Sequence, residues 1–372
     1  MKRNNRINRT ALSLAIAALG LGAARAEGPT ISGSVDLGYS YNFNGLDASA
    51  YRAFDANANS INLQYAEMVV TGKTASDVGY RVDVGYGNDA GVVSFFDGSG
   101  NDQINLQQAF LTFTCPITKG TITAGKFVTP FGAEVIEAKD NYNISRGLLF
   151  TNAIPLVHTG AKLDKGFMDG KYNVTAGVVN GWDVSADNNK GKTFLAQAAI
   201  NTLPKISVIV GGAYGPEVAS PEFTTPGTGS TEKFSRGLVD AIVKYTPTDK
   251  LTLLANADWG VEEGAAFEPT ASDDTTANWA GVALYANYLF SDTLSGTLRY
   301  ENFDDEGSRL LTPGTPHQSL NSYTATLQYK MKDVTYRLEF RQDQSSDKVF
   351  TDADGAADDV QSTLGAQVLF AF

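Results

Sequence analysis

Segments in which apolar and polar residues alternate recur from residue 31 to the end of this chain, and the connections between them are alternately short and long. A period of two gives a strand one apolar face. In residues 31–43, Ile31, Val35, Leu37, Tyr39, Tyr41 and Phe43 share one face with Gly33, and Ser32, Ser34, Asp36, Ser40 and Asn42 share the other. Leu364, Ala366, Val368, Phe370 and Phe372 repeat the pattern in the last ten residues. Comparable runs include Tyr80 to Tyr86 around Arg81 and Asp83, Val239 to Tyr245, Leu251 to Trp259, Val282 to Phe290, Tyr323 to Tyr329 and Val334 to Phe340. The first run is longer than the five or six residues usual in soluble sheets. It suits a tilted membrane-spanning strand of about 9–11 residues.

Short polar turns fall at 74–77, 116–119, 165–170, 202–205, 247–250, 291–293 and 332–333. Longer segments rich in Gly, Asp, Ser, Thr and Pro lie between them, at 44–58, 88–103, 129–156, 181–192, 215–235, 261–276, 304–320 and 344–361. Long loops at one end only, short turns at the other, predict an all-β transmembrane antiparallel barrel of about 16 strands, with short periplasmic turns and long extracellular loops. Tyr39, Tyr41, Phe43, Trp259 and Tyr300 are placed near one interface, and Tyr245, Tyr288, Phe290 and Tyr329 near the other, as aromatic girdles. One echo stands out: Ile61-Asn-Leu-Gln-Tyr-Ala66 returns as Ile104-Asn-Leu-Gln-Gln-Ala109, implying equivalent strands.

At the amino-terminus, Lys2, Arg3, Arg6 and Arg9 precede an apolar run over 11–24 and an Ala24-Arg25-Ala26 cleavage pattern. This predicts a signal peptide over 1–26 and a single barrel domain over 27–372. The apolar run is too short for a spanning helix. Strand one begins within a few residues of Ala26, so no amino-terminal plug is expected.

The predicted signal holds five basic residues and no acid, which leaves 24 basic against 41 acidic residues and a net charge of −17. Such a balance argues against nucleic acid as a partner. It points toward cations at the surface. With Cys115 alone, no internal disulfide forms. Mean hydropathy is slightly negative, as a barrel that hides half of each strand from lipid allows.

Residues 125–160 contain Gly125, Phe131, Gly132 and Glu134, then the run Asn141-Tyr142-Asn143-Ile144-Ser145-Arg146, then Pro155 followed by Thr159-Gly160. On these motifs the chain resembles the β-barrel porin-2 family of bacterial outer-membrane proteins, loosely over the whole length to Phe372. The resemblance implies passive diffusion of small hydrophilic solutes and ions across the bacterial outer membrane; the hairpin count places both termini on the periplasmic side, and the apolar strand faces and acidic long loops suggest contact with membrane lipid and lipopolysaccharide. The terminal strand, with Phe370 and Phe372, is similar to those read by the barrel assembly machinery. A homotrimer follows by analogy. The resemblance supplies no list of functional residues and no cofactor.

The site expectation is therefore physical. A sixteen-strand barrel leaves an aqueous lumen, and loop 129–156, the longest, is the segment expected to fold inward and narrow it. It carries Glu134, Glu137, Lys139, Asp140 and Arg146. By alternation, Arg81, Asp83, Arg299, Glu301, Arg337, Glu339 and Arg341 point inward. An acidic loop against a basic wall makes a transverse field that selects among solutes. Glu134, Glu137, Asp140, Arg146, Arg81, Arg299, Arg337 and Arg341 are the candidates for constriction and selectivity. Arg299, Arg337 and Arg341 also suggest a dedicated channel for sugars or anions, although Glu301 and Glu339 interrupt the ladder. An enzymatic barrel would need Ser145 and His158 to meet, with Asp140 or Asn143 as a third member; no Gly-x-Ser-x-Gly elbow or P-loop supports that. A plugged adhesive barrel is a further alternative. Asp352-Ala-Asp354-Gly355 with Asp358 and Asp359 looks like half of a calcium loop without its terminal Glu; no metal is assigned.

Overall fold

The computed structural model describes residues 28–100, 103–187, 191–219, 233–263, 276–306 and 317–372. The predicted signal peptide lies outside them. Among the described residues there are eighteen strands: β1 (Thr30–Asn42), β2 (Ser60–Lys73), β3 (Gly79–Tyr86), β4 (Ile104–Thr114), β5 (Thr121–Val128), β6 (Val157–Phe167), β7 (Tyr172–Val179), β8 (Thr193–Leu203), β9 (Ile206–Ala219), β10 (Lys233–Tyr245), β11 (Leu251–Glu263), β12 (Thr276–Leu289), β13 (Leu294–Asp305), β14 (Gln318–Met331), β15 (Val334–Ser345), β16 (Phe350–Thr351), β17 (Ala357–Asp358) and β18 (Val360–Ala371). Sixteen of them close into one antiparallel barrel, each paired with its neighbour in sequence and β1 with β18. The seam is continuous from Asn42 opposite Thr363 to Ser34 opposite Ala371, and Gly33 and Phe372 exchange backbone hydrogen bonds at 3.0 Å in both directions. Along most of β1 the alternation follows: Ser34, Asp36, Ser40 and Asn42 are buried inside, while Val35, Leu37, Tyr39, Tyr41 and Phe43 are exposed.

That exposed band is the lipid-facing surface. Large apolar side chains such as Ile61, Leu111, Val239, Leu298, Leu338 and Val368 stand open around the whole barrel, an extent that a soluble monomer does not tolerate. Tyr245, Tyr288, Phe290 and Tyr329 sit exposed where strands meet the short turns, and Tyr39, Tyr41, Phe43 and Trp259 at the long-loop end. Alternation also explains the short turns. Lys119, Lys205 and Lys332 take positive φ in them, between 55° and 66°, so in these three turns a lysine rather than a glycine occupies the left-handed position.

Three features differ from the pattern read in the sequence. Strands β9 to β15 run several residues further toward the long-loop rim than their apolar alternation, so those loops are shorter than 215–235, 261–276, 304–320 and 344–361. Residues Asn88–Phe96 form a helix, although Val92, Val93, Phe95 and Phe96 favour strand. Val93 drives this, packed at 0% exposure into a core inside the barrel. The half-calcium loop is a hairpin of β16 and β17, in which Asp352 Oδ1 accepts the backbone N–H groups of Asp354 and Ala356. That carboxylate caps a turn.

The sequence echo is a repeated β-bulge. Register slips between Asp36 and Leu37 and between Asp83 and Val84 leave Gln64 of β2 and Gln107 of β4 as the extra residues. Each bulge turns its glutamine inward, where both are buried. Gln64 Oε1 accepts Asn88 Nδ2 of the helix at 3.3 Å, and Gln107 Nε2 donates to Glu137 of loop 129–156 at 2.5 Å.

Candidate constriction site

Loop 129–156 fills much of the long-loop half of the barrel. Its apolar residues Phe131, Ile136, Leu148, Leu149, Phe150 and Ile154 are 8% exposed or less and pack on Val93, Trp182, Leu238, Trp279, Phe303 and Leu320. Each such side chain contributes roughly 1.5–3 kcal/mol by leaving water. A barrel interior that is polar elsewhere thus holds a dry core at one end. Two glycines permit the fit. Gly132 has φ +84°, and a Cβ on Gly147 would collide with the Glu301 carboxylate.

The polar side of the loop is stitched to β13, β14 and β15. Arg299 of β13 pairs with Glu134 at 2.6 Å and with Glu301 at 3.1 Å, and donates to the Ser145 carbonyl at 2.7 Å. Glu134 in turn accepts the Gly147 N–H at 2.5 Å. Glu339 of β15 accepts the N–H groups of Ile144 and Ser145 at 2.7 and 2.9 Å. Arg337 donates to the carbonyls of Ala138 and Asn141 at 2.8 and 2.7 Å, and Arg341 to the Arg146 carbonyl at 2.7 Å while its Nε bonds Asp343 at 2.8 Å. Asn143 Nδ2 reaches Thr326 Oγ1 at 2.6 Å. An irregular loop inside a barrel must satisfy its backbone without strand partners; guanidinium and carboxylate groups do that here. Arg146 turns back on its own loop, donating to the carbonyls of Val135, Ile136 and Ile144, stacks over Phe54 at 5.0 Å and lies 3.5 Å from Asp89 of the helix. Burial holds the Asp89 carboxyl well above the usual carboxylate range, against the pull of Arg146.

Exposure divides the eight residues singled out in the sequence. Glu134, Glu137, Arg146, Arg299, Arg337 and Arg341 are all below 9% exposed. The Asp140 side chain, ion-paired to Lys139, is 55% exposed, and Arg81, held by Asp83 at 2.9 Å, is 36% exposed. Glu137 faces away from the arginine wall, toward Gln107 of β4. Two water-facing charges were not singled out: Lys162 and Asp164 of β6, paired at 2.7 Å with side chains 19% and 37% exposed. Their alternation on one strand face was the available signal. Register places Lys162 beside Thr123 and Arg81 beside Phe110, all on the inner face.

His158 is buried on the wall, with Nε2 3.1 Å from Thr129 Oγ1 and Nδ1 3.1 Å from the Gly181 carbonyl. Ser145 Oγ accepts Arg299 Nη2 at 3.0 Å. The two are committed to different neighbours. His317 lies in the long-loop region beside Asp304, at 3.1 Å.

A closed barrel with an apolar exterior, short turns at one rim and a long loop folded into its lumen is the architecture of an outer-membrane channel. The chain belongs to the family described as "Putative beta-barrel porin-2, OmpL-like", whose model matches residues 28–372. It is an outer-membrane porin, a channel for passive diffusion, and its family and fold point to a channel rather than an enzyme. No curated protein matches the chain. Among solved structures, the anion-selective porin of Comamonas acidovorans aligns at TM-score 0.65 and 11% identity, covering 94% of this chain and 100% of that one. The outer membrane channel DcaP of Acinetobacter baumannii aligns at 0.62 and 12% over 94% and 99%. In-vitro folded OmpT of Vibrio cholerae, in trimer form, aligns at 0.62 and 12% over 93% and 99%. At such identities the likeness is one of fold.

Proposed function

We propose that small hydrophilic solutes and ions cross this porin on the side of the lumen bounded by β3 to β6, where charges remain open to water, and that the β13–β15 side serves as the seat of loop 129–156. In this reading Asp140 and Arg81, joined by Lys139, Lys162 and Asp164, set ion preference. Glu134, Glu137, Arg146, Arg299, Arg337 and Arg341 act through the loop's position. The observation that carries the division is exposure: a permeating ion feels a charge it can approach through water far more than one already paired and buried.

The same reading makes residues 1–26 a signal peptide cleaved after Ala26, sets the short turns and both termini on the periplasmic side, and gives the Phe370–Phe372 strand to the assembly machinery. Lipopolysaccharide meets the long-loop rim, and three copies assemble side by side. The test is single-channel recording of the refolded chain in a planar bilayer under a salt gradient. Stepwise ohmic openings, with a reversal potential moved toward anions by Asp140→Asn and toward cations by Arg81→Gln, are expected. Silence from a protein shown to be folded by heat-modifiable gel migration would overturn the reading in favour of a plugged barrel.

A further inference from the structure

Across β18 and β1 from the arginine wall, Glu67 of β2, Asp83 of β3 and Glu137 of loop 129–156 converge. All three are buried, and each offers a carboxylate oxygen within 4.8 Å of the others. Their partners are unequal. Asp83 is held by Arg81, whose Nε lies 2.9 Å from both its oxygens. Glu137 accepts Gln107 Nε2 at 2.5 Å. Glu67 is 4% exposed, and neither of its carboxylate oxygens has a hydrogen-bond partner. A buried carboxylate left without a partner is costly, and this one is aimed at two others.

We propose that this cluster is a binding site for a divalent, oxygen-seeking cation, Ca2+ before Mg2+, and that the bound ion ties loop 129–156 to the barrel wall. Charge and geometry both point there. Three carboxylates face one committed guanidinium, Arg81; Lys139, the other nearby cation, is paired with Asp140. Two negative charges stay unmatched, and a dication balances them. Ca2+ binds oxygen at about 2.3–2.6 Å, so two ligands across the ion sit up to roughly 5 Å apart, and three oxygens that all lie within 4.8 Å of one another are close enough to share one ion. The all-carboxylate donor set favours Ca2+ or Mg2+ over softer metals. Ca2+ is preferred because it accepts bidentate carboxylates in irregular shells. The three ligands come from two strands and the loop, so an ion there fixes Glu137, and with it Lys139 and Asp140, at the water-facing edge. The link to permeation rests on the channel reading above; the binding itself does not.

The experiment is calorimetric titration of CaCl2 into the refolded, chelator-treated full chain in detergent micelles, beside Glu67→Gln and Glu137→Gln, with folding of each checked by gel migration. The wild type is expected to bind one Ca2+ per chain more than either variant, with a Kd on the order of 10⁻⁴ M. Weak binding by surface acids appears equally in all three. Equal stoichiometry in the wild type and both variants would overturn the site and leave the cluster to shared protons. If Glu67→Gln fails to fold, Glu137→Gln, on the loop, decides alone. Bilayer recordings of the wild type then add CaCl2 and chelator in turn: a change in open-channel conductance that Glu137→Gln lacks supports the tie to the loop. Retained binding without any channel would sink the transport reading and not the site.

Discussion

The two sides of the lumen use the same residue types to opposite ends. On β13 to β15, Arg299, Arg337, Arg341, Glu301 and Glu339 are covered by loop 129–156 and matched to its carbonyls, N–H groups and Glu134. On β3 and β6, the side chains of Arg81, Lys162 and Asp164 stay partly exposed. A charge under the loop stabilises a shape; a charge beside the loop meets what passes. Strand position alone does not separate these roles, because both sets point inward. What separates them is which wall the loop leans on.

The hardest blow to that contrast is Arg299→Ala. It leaves Glu134 and Glu301 buried without their cation, a loss of about 3–5 kcal/mol. The temperature at which the folded band converts on gels should fall sharply, and protease should cut within 129–156. A loop that stays protected would show the seat is held by its apolar core instead. Glu339→Gln is expected to be milder, about 1.5–3 kcal/mol, since an amide NH2 replaces one of two acceptors facing Ile144 and Ser145; limited proteolysis reads it.

Asp89 gives a smaller effect with a definite sign. Its folded-state pKa is raised, so the native protein holds the proton more tightly than the unfolded chain. That stabilisation is complete below the ordinary carboxylate pKa and is lost as pH rises through the raised value. Asp89→Asn should therefore gain on the wild type in conversion temperature between pH 4 and pH 8, and a constant difference across that range would refute it. Asp140→Asn sharpens the comparison from the other side. With a half-exposed side chain, it should change stability by no more than about 0.5 kcal/mol, leaving the conversion temperature close to that of the wild type, while shifting the permeability ratio toward anions a few-fold in bilayer recordings.

The sixteen strands were legible because alternation and turn chemistry are local. The seven short turns fall within a few residues of where the chain reverses, three of them at Lys119, Lys205 and Lys332. The length of 129–156 marked the inward loop, and inward charges followed from parity. Which of them are covered was not legible, since cover depends on contacts such as Arg337 with Asn141, 196 residues apart. Helix Asn88–Phe96 was hidden for the same reason: Val93 is helical because of what it packs on, against its own preference. The Gln64 and Gln107 echo was visible as sequence, but its meaning as a bulge appears only once partners are paired. Glu67, Asp83 and Glu137 lie on three separate segments and share no motif.

The seam between β1 and β18 bears on the order of events. Gly33 and Phe372 bond near opposite ends of the chain, so the ring shuts only when the final strand arrives. Above the lumen, Arg52 of the first long loop bonds Asp343 on β15, and Phe54 packs on Phe150. A segment of 28 residues lies between this roof and the wall, and β18, by joining β15 to β1, completes the ring that encloses it.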